Sequence, residues 1–361
     1  MAEDQFSEQI IPGVYVRVRA EGLISAGGIS AGNIGIVGTA AIGIGESRVL
    51  SDYDAARQVF GKYDAYTAST LNLVRSLEIL FKNGARTIYA YGLAAGADQD
   101  AFSTAFNEVI KDDVNILVVP ELATDAAKAV LGSLVGTVEA EGKDVIAVIG
   151  SDQDNATGMT DLTDQVTSNK RIIMTAPGIQ AYDAAATTDV TLSGTYGAAA
   201  VAGLISSLAA QSSPTNKVLF GVTKLARRFS YGEMKILVQG GILALEERKG
   251  IRVVKGITSQ ASENGPFSQI TTRRIVDYAK AGIRQVTNPF IGRLNNQRVR
   301  KAMEGAIDGF LTTMLQDEAL TAYELEVTAT RPDEIAGRAN VNVVLQPTFS
   351  IDYIRVTLLL Q

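Results

Sequence analysis

Between residues 33 and 178, short apolar runs alternate with stretches whose apolar positions recur every three or four residues. The runs 34–39, 87–91, 115–119, 145–149 and 171–175 read as buried strands. Helices are expected between them, over 52–60, 68–82, 98–110, 124–141 and 160–168. In the second of these Leu71, Val74, Leu77 and Phe81 form one stripe, and Asn83-Gly84 supplies the stop signal. Strands that are apolar throughout and alternate with helices predict a doubly wound α/β sheet covered on both faces.

A stretch of small residues over 196–210 predicts a further helix that ends at Ser213-Pro214, a domain boundary. Beyond it the pattern changes. Residues 242–247 and 251–258 flank Arg248-Lys249-Gly250 as a β-hairpin would. Two helices follow, over 272–286, with Ile275, Tyr278, Ala279, Ile283 and Val286 on one stripe, and over 295–316, with Met303, Ile307, Phe310 and Met314 on another. Tyr323, Leu325 and Val327 then alternate with Glu324, Glu326 and Thr328, and Val341, Val343 and Leu345 alternate with Asn340 and Asn342. This second half predicts an α+β domain whose antiparallel sheet has one polar face.

Both ends read as strands. After Pro12-Gly13, the residues Val14, Val16 and Val18 alternate with Tyr15, Arg17 and Arg19, and the Gly/Ser/Ala-rich stretch that follows offers no hairpin partner. At the other end Phe349, Ile351 and Tyr353 keep one parity, whereas Ile354, Val356, Leu358 and Leu360 keep the opposite one. Such a flip marks a bulge or a strand passing from one environment into another. The resulting division is an N-terminal strand arm (1–22), an α/β outer domain (23–214), an α+β inner domain (215–346) and a C-terminal strand arm (347–361).

Composition narrows the chemistry. The 361 residues contain no His, no Cys and no Trp. Ser-His-Asp and Cys-His systems, disulfides, iron–sulfur clusters and thiolate zinc sites are thereby excluded. Catalysis would have to rest on carboxylates, Lys, Tyr or Ser/Thr, and no coherent constellation of these stands out; no cofactor or metal site is expected. Residues 1–9 carry Glu3, Asp4 and Glu8 without the basic and apolar regions of a secretory signal, so assembly in the cytoplasm is expected. No apolar run is long enough to span a bilayer, so no direct membrane insertion is expected.

The net charge of −6 is unevenly spread. Residues 1–219 carry −11, residues 220–301 carry +11 and residues 302–361 carry −6. The basic block lacks interleaved aromatics and any helix-turn-helix or RRM pattern, so nucleic acid is not expected as a partner; a complementary acidic protein surface fits better. Arg227-Arg228 and Arg273-Arg274 within it read equally as solvated charge or as phosphate sites. Two other motifs break down. Gly43-Ile44-Gly45-Glu46-Ser47-Arg48 starts as a dinucleotide fingerprint but has Arg where the third Gly belongs. Asp152-Gln153-Asp154-Asn155-Ala156-Thr157-Gly158 places Gly at the seventh position of a calcium loop instead of the sixth, and Thr163 replaces the bidentate Glu.

Taken in order, several segments resemble the tail sheath proteins of contractile phage tails and contractile injection particles. Pro12-Gly13-Val14-Tyr15-Val16 is similar to the family's N-terminal arm, and Gly35-Ile36-Val37-Gly38-Thr39-Ala40 to its first strand. The stretch from Phe60-Gly61 to Phe81-Lys82-Asn83-Gly84-Ala85-Arg86 resembles its helix region. Val253-Val254-Lys255-Gly256-Ile257-Thr258 occupies the place of a family strand motif, with departures at Val254, Lys255 and Ile257. Arg273-Arg274-Ile275, Thr287-Asn288-Pro289-Phe290, and Pro347 with the closing segment complete the series.

The resemblance implies a structural, non-enzymatic subunit that forms stacked hexameric rings around an inner tail tube, in a virion tail, a tailocin or another contractile injection particle. It implies that both arms add strands to neighbouring subunits: Pro12, Gly13, Val14, Tyr15 and Val16 at one end, and Phe349, Ile351, Tyr353, Ile354, Val356, Leu358 and Leu360 at the other. It implies an inner tube protein, a baseplate and a tail terminator as partners. Arg293, Arg298, Arg300 and Lys301, at the start of a helix where the macrodipole disfavours cations, are the expected tube-facing residues. The competing reading is an α/β nucleotide-binding enzyme using carboxylate and Lys chemistry.

Overall fold

The computed structural model describes residues 29–68, 70–153 and 158–359. Its elements begin with β1 (Ile34–Thr39), β2 (Ser47–Leu50), α1 (Tyr53–Phe60), α2 (Leu73–Lys82), β3 (Ile88–Leu93), α3 (Gln99–Val109) and β4 (Ile116–Val118). Next come α4 (Thr124–Ala127), joined by a π-turn to α5 (Ser133–Ala140), then β5 (Ile146–Gly150), α6 (Met159–Thr163), β6 (Ile172–Ala176), β7 (Ile179–Asp183), β8 (Thr188–Leu192) and α7 (Gly194–Ser207). The chain continues through β9 (Val218–Leu219), β10 (Lys224–Leu225), α8 (Tyr231–Gln239), β11 (Ile242–Glu247) and β12 (Ile251–Val253). It closes with α9 (Ile270–Thr287), α10 (Gln297–Gln316), β13 (Leu320–Thr328), α11 (Arg331–Ile335) and β14 (Asn340–Pro347).

Nine strands form one sheet in the order β2-β3-β1-β4-β5-β6-β11-β12-β9. From β3 through β11 neighbouring strands run parallel, and the antiparallel strands lie at the two edges. Strand parity sorts the core cleanly. Ile34, Ile36, Ile116, Val118, Ile146, Val148, Ile173, Leu243 and Leu245 pack on one face with α2 and α7. Val37, Leu117, Ala147, Ile149, Met174 and Ala244 pack on the other with α3 and α5. This is the expected doubly wound layer. Asp52 caps α1 by accepting from Ala55 N, Asp98 caps α3 through Ala101 N, and Ser230 with Glu233 makes a capping box for α8.

The expected boundary after Pro214 does not match the strand pairing. β11 runs parallel to β6 through Ile242–Met174, Leu243–Thr175 and Ala244–Ala176, and β12 and β9 extend the same sheet. The hairpin around Arg248-Lys249-Gly250 forms as expected, but it completes the α/β layer instead of opening the next domain. Its apolar strand continues a buried parallel sheet, and local pattern alone does not reveal which sheet a hairpin joins.

The C-terminal layer has its own core. Ile275 and Ala279 of α9 meet Met303, Ile307, Phe310, Leu311 and Met314 of α10, under the β13–β14 hairpin, which contributes Leu320, Tyr323, Leu325, Val327, Val341, Val343 and Leu345. Both helical stripes expected from the sequence face this core. Gly282 lets α9 and α10 approach, because a β-carbon there would fall 1.9 Å from Cζ of Phe310. Glu324, Glu326 and Asn342 occupy the exposed side of the hairpin, the expected polar face.

Candidate functional site

The chain beyond β14 leaves the fold as an extended apolar segment. Residues 351–359 take part in no strand, and Phe349, Ile351, Tyr353, Ile354, Val356, Leu358 and Leu359 are exposed, Ile354 and Leu358 by 83% and 84%. So many exposed large apolar side chains in sequence mark an interaction segment. Leu360 and the N-terminal candidates Pro12, Gly13, Val14, Tyr15 and Val16 lie outside the described residues. Beside the segment stands the β13–β14 ribbon, paired from Leu320–Pro347 to Thr328–Asn340 and two-stranded among the described residues. Such a ribbon leaves ladder groups open at both edges and depends on packing for stability; the Tyr323 hydroxyl, 2.8 Å from Asp308 Oδ1 and 2.9 Å from Thr312 Oγ1, ties it to α10.

The four basic candidates separate into two kinds. Arg293 is exposed, with Nε donating to Pro289 O and its guanidinium 5.5 Å from the Phe290 ring centroid. Arg298 is exposed on the first turn of α10, and Lys301 is exposed and pairs with Glu304 at 2.8 Å. Arg300 differs. Its side chain is largely covered, donating to Asn295 Oδ1 at 2.9 Å and pairing with Glu334 at 3.0 Å, so it fastens α10 to α11 instead of presenting a free charge. Ile291, Leu294 and Ile335 are exposed in the same region, where Asn295 Nδ2 donates to Arg338 O.

Between the α/β layer and α9 lies a buried charge cluster that sequence reasoning missed. Arg171 is 1% exposed; its Nη2 donates to Glu139 at 2.9 Å and Asp144 at 2.7 Å, and its Nη1 to Asp277 at 3.0 Å. Arg273 adds a second guanidinium to Asp277, while Lys280 and Arg284 pair with Asp144. Arg274 donates to the carbonyls of Ala31, Leu208 and Ala209. Hydrogen bonds from Arg171, aided by Lys170, hold the Glu139 carboxyl down at about 2, and desolvation lowers Arg274 to about 10. The dibasic pair Arg273-Arg274 is therefore neither solvated charge nor a phosphate site. The signal in the sequence was the i,i+4 spacing of Arg273 and Asp277, continued by Lys280 and Arg284 on a charged side of α9 away from the stripe of Ile275 and Ala279.

The carboxyl ends of β1, β4 and β5 border a crevice of about 360 Å³, where a doubly wound sheet usually takes a ligand. Several of its polar groups bind one another, while the buried Ser193 Oγ has no hydrogen-bond partner among the described residues. Glu121 accepts from Thr39 N at 2.8 Å and from Thr39 Oγ1 at 2.6 Å, with burial pushing its carboxyl up to about 7. Gly38 makes room for it, since a β-carbon there would lie 2.2 Å from Glu121 Oε1. Asp152 accepts from Thr124 N and Gln165 Nε2. The Gly43–Gly45 loop runs from β1 into the edge strand β2, not into a helix, so the strand–loop–helix setting that a phosphate cradle needs is missing there.

Comparison with known families decides the assignment. The family model for the phage tail sheath protein central domain matches residues 95–259, and that for the phage tail sheath C-terminal domain matches residues 262–361. The chain belongs to the phage tail sheath family. The two matches meet just beyond β12, where the nine-stranded sheet ends.

Solved structures share the fold. A chain of the anti-feeding prophage baseplate, 6-fold symmetrised, is 18% identical with a TM-score of 0.76, over 98% of this chain and 99% of that one. The anti-feeding prophage helical sheath in its contracted state is 19% identical with a TM-score of 0.74, over 97% and 99%. A sheath tail protein from Desulfitobacterium hafniense is 14% identical with a TM-score of 0.65, over 93% and 100%. Comparison with curated protein sequences finds no match. Within the sheath family framework, the exposed terminal segment, the open ribbon and the basic start of α10 all belong to the C-terminal matched region or its border.

Proposed function

We propose that the chain is a structural sheath subunit that polymerises as hexameric rings around a tail tube and contracts to drive the tube through the target envelope. The observation that carries this reading is the largely exposed segment 351–359, which joins no strand among the described residues and follows a ribbon that is two-stranded among them. Strand addition between copies would fill those edges and bury the segment's apolar side chains. Phe349, Ile351, Tyr353, Ile354, Val356, Leu358 and Leu360 would make up one arm, and Pro12, Gly13, Val14, Tyr15 and Val16 the other, each arm giving a strand to a neighbouring copy. Such links keep subunits joined while rings slide and rotate.

In this arrangement the α/β layer lies outward and the C-terminal layer faces the tube. Arg293, Arg298 and Lys301 would meet acidic tube residues, with Arg300 holding their platform in place. The work comes from a change of packing between subunits, without enzymatic chemistry. The particle, assembled in the cytoplasm, would be a virion tail or a contractile injection particle, with baseplate and terminator proteins at its ends. Negative-stain microscopy of the purified protein tests this. Rings or tubes are expected, and soluble monomers after deletion of residues 1–20 or 349–361. A full-length chain that stays monomeric at every concentration and ignores both deletions overturns the reading.

A further inference from the structure

The root of the C-terminal arm is held against its own subunit, and its tip is not. Thr348 N donates to Ala319 O at 3.0 Å. Gln269, just before α9, accepts from Ser350 Oγ at 3.3 Å and donates to Asp352 Oδ2 at 3.2 Å. Lys255, in the connection from β12 towards α9, pairs with the same oxygen at 3.5 Å and donates to the Tyr353 hydroxyl at 3.3 Å. Its ammonium lies 5.1 Å from the Tyr353 ring centroid. Asp352 is thereby covered, its side chain 9% exposed. From Ile354 to Leu359 every residue is exposed. Among the described residues the last anchoring contact thus falls at Tyr353, the residue after which the apolar parity changes from Phe349, Ile351 and Tyr353 to Ile354, Val356 and Leu358.

We propose that Lys255, assisted by Gln269, is a latch that fixes the arm's root, so that the strand given to a second copy of this chain starts at Ile354. This rests on the reading of the arm as an inter-subunit strand. A latched root is ordered before docking, which lowers the entropy lost on association. It also sets register. A donor strand free to slip by one residue would turn Ile354, Val356 and Leu358 to the wrong face, whereas one tied at Asp352 and Tyr353 starts from a fixed point. Lys255 is one of the positions at which the chain departs from the family's strand motif, so the latch need not be shared by its relatives.

The chain has no cysteine, so Lys255→Cys combined with Asp352→Cys introduces the only two thiols. Assembly is followed by light scattering and microscopy. Lys255→Met and the untreated double-cysteine chain are expected to assemble roughly tenfold more slowly than the wild type, equal to about 1.4 kcal/mol. Bridging the two thiols with a short bifunctional maleimide restores the rate, and a monofunctional maleimide does not. A bridged chain that stays slow, or a Lys255→Met chain that assembles at the wild-type rate, overturns the latch. Deletion of residues 354–361 reports on the underlying reading separately: if that chain polymerises normally, the arm is not an inter-subunit strand and the latch falls with it.

Discussion

Arg171 shows how single side chains hold the two layers together. A buried guanidinium stays charged, so the surrounding carboxylates must be present and ionised. Asp277 serves both Arg171 and Arg273, and removing its charge leaves two guanidinium groups facing a neutral partner. Asp277→Asn is expected to lower stability by about 3 kcal/mol, read from urea unfolding. Glu139 adds a pH signature. Because its folded value of about 2 lies below the ordinary 4.5, its contribution is complete above pH 4.5 and disappears as the pH falls towards 2. Glu139→Gln should therefore be less stable than the wild type near neutrality, and the gap should close across that window; a gap independent of pH argues against the Arg171 pairing. At Gly282 the constraint is steric. Gly282→Ala forces the Phe310 ring aside and should cost about 1–3 kcal/mol, measured by thermal unfolding.

Elements differ in how far their residues announced them. β1 falls on 34–39 as expected because a six-residue buried run bounded by Asn33 and Ala40 has few other interpretations, and α9 and α10 followed their stripes into one core. β8 was invisible. Its five residues, Thr188–Leu192, are mostly exposed, and the alternation of Val190 and Leu192 with Asp189 and Thr191 is too short to stand out, so pairing with β7 is what makes them a strand. β11 was found but placed in the wrong sheet, because its partner β6 lies some seventy residues away and nothing local encodes the pairing. The same limit applies to the candidate site. Arg293, Arg298, Arg300 and Lys301 were legible as a basic group at a helix start, but the internal role of Arg300 depends on Glu334, which arrives from beyond the next strand. This yields a test at the level of α10 and α11. Glu334→Gln should loosen that junction and lower the thermal unfolding midpoint only slightly, since the pair is partly solvated.

Across the whole molecule, the segregated charge fits a subunit that meets two kinds of neighbour. Residues 220–301 carry +11, yet much of that charge is already committed: Arg273 and Lys280 to the layer junction, Arg300 to α11, and Arg228 to Glu247. Among the exposed cations that remain, Arg293 and Arg298 lie near each other in sequence at the start of α10 with the Glu304-paired Lys301, and Ile291 and Leu294 are exposed alongside. Exposed charges of this kind act through steering and weak contacts that salt screens over about 10 Å at 0.1 M. They would let a sheath assemble on an acidic tube and still release it during contraction. Arg298→Glu with Lys301→Glu replaces two positive charges by two negative ones without touching any buried group. Assembly templated by the tube should then be lost at low salt, while untemplated polymerisation through the arms continues. The contrast between the two matters: loss of both would point to a damaged subunit, and retention of both would remove the start of α10 from the tube interface.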